Sequence, residues 1–167
     1  MIKYTDEALE YIARLAEGGM RDAITLLDKV LSYSEDITIE NVVKALGTVD
    51  YEVFFRLSDA IYDKQLDKIF EIVEGTHADG KDLKQFIKNY MNFLLDVVKF
   101  DITGKFEYMQ LPSTYKDKLE SIRRRSPQWF ATCQAVLDVV VKLNGDLKYD
   151  TQPKVLIEAT LIGAVGR

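Results

Sequence analysis

The chain has 167 residues, enough for one domain of ordinary size or two small ones, and its formal net charge is −5. That balance speaks against a protein that grips nucleic acid by itself, because phosphate contacts need a basic surface, although a local basic patch fits within an acidic whole. A single cysteine, Cys133, excludes a disulfide framework and a thiolate metal cage, and no uncharged stretch approaches the roughly 20 residues of a membrane span. With no apolar run at the start resembling a signal peptide, the expectation is a soluble cytoplasmic protein with no membrane partner.

Apolar residues recur at helical spacing almost throughout. Thr5 is a plausible N-cap for a first helix with Ala8, Leu9, Ile12, Ala13 and Ala16 on one stripe. The pair Gly18-Gly19 breaks it, since glycine reaches φ > 0 without penalty. A second helix follows, with Met20, Ala23, Ile24, Leu27, Val30 and Leu31 along one face, and a third after Thr38 buries Ile39, Val42, Val43 and Leu46. Gly47-Thr48-Val49-Asp50 reads as a junction. The nearest approach to a strand, Ile37-Thr38-Ile39, is too short to matter.

Beyond the junction, Val53, Phe54, Leu57, Ala60 and Ile61 form one stripe, and Leu66, Ile69, Phe70 and Val73 another. Asp79-Gly80 is a turn. The longest periodic run, from Leu83 to Val98, predicts a helix of about 30 Å at about 1.5 Å per residue. The segment from Gly104 to Ser126 is more polar and reads as a loop with one short helix. Ser126-Pro127 is a helix start, with serine as N-cap and proline in the first turn. That helix carries Trp129, Phe130, Cys133, Val136, Leu137 and Val140 and should stop near Asn144-Gly145. A last one opens around Thr151-Gln152-Pro153 with Val155, Leu156, Ala159 and Ile162. The fold class is therefore all-α, a small three-helix module followed by a bundle of five to six helices.

Catalytic chemistry has no foothold at recognisable spacing. The lone histidine, His77, falls in Gly75-Thr76-His77-Ala78-Asp79-Gly80, read as a solvated turn, and a metal site needs several ligands. Cys133 lies on an apolar helix face, where an inert buried thiol is the default. There is no G-x-x-x-x-G-K-S/T phosphate loop, no G-x-G-x-x-G and no nucleophile elbow.

Arg21 is the exception to a bland pattern. It falls in the first turn of the second helix, where the macrodipole disfavours a cation by a few tenths, roughly, of a kcal/mol. Two readings fit. An anion docks against both the guanidinium and the free N–H groups of the helix start, or the arginine turns back to water or pairs with Asp22 or Glu17.

The stretch Ala8-Leu9-x-x-Ile12-Ala13-Arg14-x-Ala16-Glu17-Gly18-Gly19-Met20-Arg21-Asp22-Ala23-x-x-Leu26-Leu27-Asp28 resembles the lid signature of clamp-loader ATPases, in particular the gamma/tau family of bacterial DNA polymerase III. Ile39-Glu40-Asn41-Val42 through Leu46-Gly47-Thr48-Val49-Asp50 is similar to that family's exit from lid to collar. Leu147-Lys148-Tyr149-Asp150-Thr151-Gln152-Pro153-Lys154-Val155-Leu156-Ile157-Glu158 is similar to its last collar helix. The resemblance brackets most of the chain, while the middle carries only helical periodicity.

The resemblance implies an AAA+ lid over 1–48 and a helical collar, or oligomerisation domain, over 49–167. It implies that Arg21 is the sensor 2 residue, reaching the γ-phosphate of ATP bound, with magnesium, in an ATPase domain of the full-length subunit. The phosphate loop, the acidic magnesium motif, the zinc-binding cysteines and the arginine finger of that domain are not in this sequence, so a fragment is expected, without a catalytic site or cofactor of its own. The implied partners are other clamp-loader subunits through the collar, and the sliding clamp and primed DNA through the whole complex. The parent would be an ATPase subunit of a DNA-directed DNA polymerase.

The same resemblance predicts apolar or aromatic residues without internal partners on the collar's outer face, with Phe106, Tyr108, Tyr115 and Trp129 as candidates, although aromatic residues near helix ends more often belong to the core. Arg123-Arg124-Arg125 is the one basic cluster, read as a solvated charge run or a contact for DNA or an acidic partner. Two other readings compete: a freestanding helical adaptor without nucleotide dependence, and a small α-helical enzyme, which would need a polar constellation inside the bundle.

Overall fold

The computed structural model describes residues 1–46 and 51–166, and these hold nine α-helices, one 3-10 turn and two two-residue strands. The junction predicted at Gly47-Thr48-Val49-Asp50 lies outside the described residues. The chain forms two compact units, one of Met1–Asp50 with Lys105–Glu120 and one of Tyr51–Gly104 with Ser121–Arg167.

In the first unit, β1 (Lys3–Tyr4) pairs in parallel with β2 (Asp36–Ile37), Lys3 opposite Asp36 and Tyr4 opposite Ile37. This bridge was missed in the sequence, since two residues cannot display alternation. It ties the chain's start to the entry of the third helix: Thr5 N donates to the Ile37 carbonyl at 3.1 Å. Thr5 then caps α1 (Asp6–Leu15), its hydroxyl accepting from Ala8 N at 3.2 Å. Acidic Asp6 and Glu7 in the first turn and Arg14 in the last complement the helix dipole.

The break after α1 is made by Glu17 at φ 52° and Gly18 at φ 82°, and α2 (Met20–Tyr33) starts from Gly19. The α3 helix (Ile39–Leu46) is capped by Thr38, which accepts from Asn41 N at 3.2 Å. Ala8, Tyr11, Ile12, Ala16, Val30 and Val42 are buried. Two predicted stripes shift. Leu9 and Ala13 face outward while Tyr11 is buried, and Met20 (76 % exposed) and Ile24 (53 %) stand in solvent, because α2 turns inward only in its second half.

The segment predicted as a polar loop is an apolar part of this unit. Met109, Leu111 and Leu119 are 2 %, 0 % and 0 % exposed, and the 3-10 turn Ser113–Tyr115 leads directly into α7 (Lys116–Arg125).

The second unit is built on α4 (Tyr51–Tyr62), α5 (Leu66–Ala78), α6 (Leu83–Thr103), α8 (Gln128–Leu147) and α9 (Pro153–Val165). The 21 residues of α6 span about 31 Å, and the helix packs along α8. Asp82 caps its start, accepting from Lys84 N at 2.9 Å, and Gly104 at φ 68° closes it.

The core between these helices is aromatic. Phe55 meets Phe93 edge-on at 5.0 Å, Trp129 meets Phe130 edge-on at 5.2 Å, and Phe54 lies 5.3 Å from Tyr90. Its polar atoms are satisfied: the Ser58 hydroxyl and Tyr90 OH lie 2.9 Å apart, and Trp129 Nε1 donates to Asp59 Oδ1 at 2.9 Å. At the α5–α9 boundary Lys154 pairs with Glu74, which raises the lysine's pKa.

Several boundaries differ from expectation. His77 is in the last turn of α5 and exposed. The α8 helix continues through Gly145 to Leu147, and Ser126 contributes its backbone carbonyl, accepting from Trp129 N at 2.9 Å, while no side-chain cap bond forms. Pro153 does open α9, at its first turn.

Candidate functional site

The α2 start is shaped by two consecutive glycines. Gly18 takes a left-handed conformation, Gly19 is the extended N-cap, and neither carries a side chain that caps the helix. The first-turn amides of α2 therefore have no side-chain acceptor from the N-cap. Asp22 supplies the one acidic group in that turn.

Arg21 sits in this first turn and is exposed. Among the described residues its guanidinium takes no hydrogen bond or ion pair. Its backbone carbonyl accepts from the Thr25 hydroxyl at 2.9 Å, which fixes the turn and leaves the side chain outward. Neither Asp22 nor Glu17 pairs with it, and the exposed side chain fits both an arginine turned to water and one open to an anion. Exposed Met20 and Ile24, four positions apart on the same helix, add apolar surface near this turn.

The other singled-out residues each have surroundings of their own. Cys133 is buried, and burial first, then the Asp59 and Asp101 carboxylates, push its thiol well above the usual range. That state is inert. Among the described residues no group of three His, Cys, Asp or Glu is placed to hold a metal ion. Of the aromatic candidates for an outer face, Phe106 (9 % exposed) and Trp129 (2 %) are buried, the core alternative that the sequence offered for them. Tyr108 is exposed and Tyr115 half-buried. In the basic cluster Arg123 donates to the Asp101 carbonyl at 3.2 Å and lies over the Phe100 ring, while Arg124 and Arg125 are exposed.

The exposed apolar surface is elsewhere. In α8 and α9, Val141 (52 %), Val155 (61 %) and Ile162 (44 %) are exposed, the last two among the apolar residues expected on the last helix. Because α9 is apolar nearly all round, periodicity cannot say which side faces the core. No helix among the described residues is long and apolar enough to cross a membrane.

Comparison with known proteins places two family domains on the chain, with their boundary between residues 36 and 37. Residues 1–36 match the ATPase lid domain of the DNA polymerase III clamp loader subunit, and residues 37–166 match domain III of DNA polymerase III subunits gamma and tau. The chain is 24 % identical over 166 residues to DNA polymerase III subunit tau of Bacillus subtilis, covering 96 % of this chain and 28 % of that protein. It is 28 % identical over 123 residues to subunit gamma/tau of Mycoplasma genitalium, 72 % of this chain and 20 % of that protein. It is 22 % identical over 163 residues to subunit gamma of Buchnera aphidicola from Acyrthosiphon pisum, 96 % of this chain and 45 % of that protein. The chain thus spans less than half the length of these relatives. With a lid at its start and domain III over most of its remainder, it belongs to the DNA polymerase III gamma/tau clamp-loader family.

Proposed function

We propose that this chain couples nucleotide sensing to subunit assembly in a bacterial clamp loader, with residues 1–48 as lid and 49–167 as collar. The observation that carries the reading is Arg21, an exposed guanidinium with no partner among the described residues, held at a helix start whose N-cap supplies no acceptor. These residues fit a phosphoryl group: a guanidinium takes phosphate oxygens in bidentate fashion, and the helix start adds oriented N–H donors. They do not fit magnesium, which needs carboxylates placed together, so metal coordination falls to the ATPase domain of the full-length subunit.

In this reading ATP supplies the charge that favours one lid position over another, and a ligand shifts an equilibrium only by such differential contact. Arg21 acts as an electrostatic reporter, not as an acid or base. The exposed valines and isoleucine of α8 and α9 support assembly, since such apolar faces mark protein contacts. The partners are the other clamp-loader subunits through the collar, and the sliding clamp and primed DNA through the whole cytoplasmic complex. The test is Arg21→Ala in the full-length subunit: ATP-coupled clamp loading falls while circular dichroism shows the fold retained. Unchanged ATPase and loading rates would refute the role.

A further inference from the structure

Arg14 is fixed by contacts that lie wholly within the first unit. Its side chain is 19 % exposed, its Nη1 donates to the Leu111 carbonyl at 3.0 Å and to the Met109 carbonyl at 3.3 Å, and its Nη2 to Glu10 Oε1 at 2.6 Å. The guanidinium also lies 5.7 Å from the centre of the Phe106 ring. Charge-assisted bonds are short and directional, so the last turn of α1 has a fixed seat on this backbone.

From that turn a chain of backbone hydrogen bonds leads to Arg21. Glu17 N donates to the Arg14 carbonyl at 3.1 Å, Gly19 N to the Ala16 carbonyl at 2.9 Å, and Ala23 N to the Gly19 carbonyl at 3.0 Å. Arg21 stands in the helical turn that the last of these bonds closes. The chain would not keep this path unaided. Glu17 holds φ 52°, a left-handed conformation that a side chain disfavours, and such residues persist only where their surroundings over-determine them. On one side those surroundings are the end of α1, and helix ends fray unless something holds them.

We propose that Arg14 is a positioning residue for Arg21: by seating the end of α1 on the Met109 and Leu111 carbonyls it holds the turn at Glu17, Gly18 and Gly19, and so sets where α2 presents the guanidinium. The proposal rests on the reading of Arg21 as a nucleotide sensor. Arg14 acts through the backbone and takes no phosphate itself, since its head is already bound to two carbonyls and a carboxylate.

Two measurements separate positioning from general stabilisation of α1. In hydrogen exchange on this chain, Arg14→Ala speeds the Glu17, Gly19 and Ala23 amides about fivefold or more. Thr5→Ala, which removes the cap at the other end of α1, changes them less than about twofold. In calorimetric titration of ATP and of ADP into the full-length subunit, Arg14→Ala lowers the preference for ATP about fivefold and leaves ADP affinity within about twofold. Arg14→Lys, which keeps the charge but not the two-carbonyl fork, loses about threefold of the preference, and Thr5→Ala less than about twofold. Added to Arg21→Ala, Arg14→Ala lowers the preference no further. If circular dichroism shows that Arg14→Ala does not fold, Arg14→Lys carries the same comparisons. A preference lost in Arg21→Ala but kept in the Arg14 variants would overturn the positioning and leave the sensing reading standing, whereas one that Arg21→Ala leaves unchanged would overturn both. Equal losses in Thr5→Ala and Arg14→Ala, or unaltered exchange at Glu17, Gly19 and Ala23, would also overturn the positioning.

Discussion

Gly19 and Asp22 are fitted to each other: a methyl group at Gly19 would stand 3.1 Å from Asp22 Oδ2 and 3.3 Å from the Ala16 carbonyl oxygen. The glycine is thus favoured by a close approach that a side chain would meet only by displacing Asp22, and the adjacent Gly18 by its left-handed backbone. Gly19→Ala should destabilise the first unit by about 1 kcal/mol, because alanine is a poor N-cap and the carboxylate must give way. Gly18→Ala should cost about 1–2 kcal/mol through backbone strain. Urea unfolding followed by circular dichroism measures both, and a neutral or stabilising result at Gly18 would contradict the assigned conformation.

In the second unit, Trp129 and Asp59 join helices 70 positions apart. A double-mutant cycle of Trp129→Phe and Asp59→Ala should return a coupling of about 1–2 kcal/mol, as expected for a hydrogen bond to a charged acceptor. Additive effects within about 0.3 kcal/mol would mean that the pair makes no net contribution.

Alkaline pH should unfold the chain through its buried acids. Burial, then neighbouring negative charge, raises Cys133 above its ordinary 9.0 and Tyr90 above its ordinary 10.0, with hydrogen bonds from Ser58 opposing both. The unfolded chain then releases protons that the native state retains. Stability is full below those ordinary values and falls as pH rises past them towards the raised native values. Cys133→Ala should flatten the early part of this decline, between about pH 8.5 and 10, whatever it does to stability at neutral pH. An equally steep decline in the variant would exclude the thiol.

The exposed face of α9 should matter to assembly and not to folding. Val155→Glu and Ile162→Glu in the full-length subunit should each leave stability within about 0.5 kcal/mol of the parent, as usual for surface changes. Each should also weaken association with partner subunits in sedimentation velocity. Unaltered association with both changes combined would move the assembly surface elsewhere.

Much of this molecule was legible from local rules. Thr5 and Pro153 mark helix starts and Gly18 and Asp79-Gly80 mark helix breaks by backbone chemistry that acts within a turn or two, and each bounds a helix where expected. The all-α class followed from periodicity. What escaped depends on distant partners. The 105–120 segment is polar on average, yet Met109, Leu111 and Leu119 are buried at spacings with no period, and three apolar residues in an apparent loop were the available signal. Arg14 was visible only as one letter of a motif, because its carbonyl acceptors come from a remote part of the chain. Arg21 stood out because it breaks a local electrostatic preference, and such violations are expected where function competes with stability.

The most direct measurement of the central claim is calorimetric titration of ATP and of ADP into the full-length subunit, parent and Arg21→Ala. A γ-phosphate reporter predicts that the parent binds ATP more tightly than ADP and that Arg21→Ala erases about tenfold of that preference while leaving ADP affinity within about twofold. An ATP-to-ADP ratio that is the same in both proteins would contradict the account.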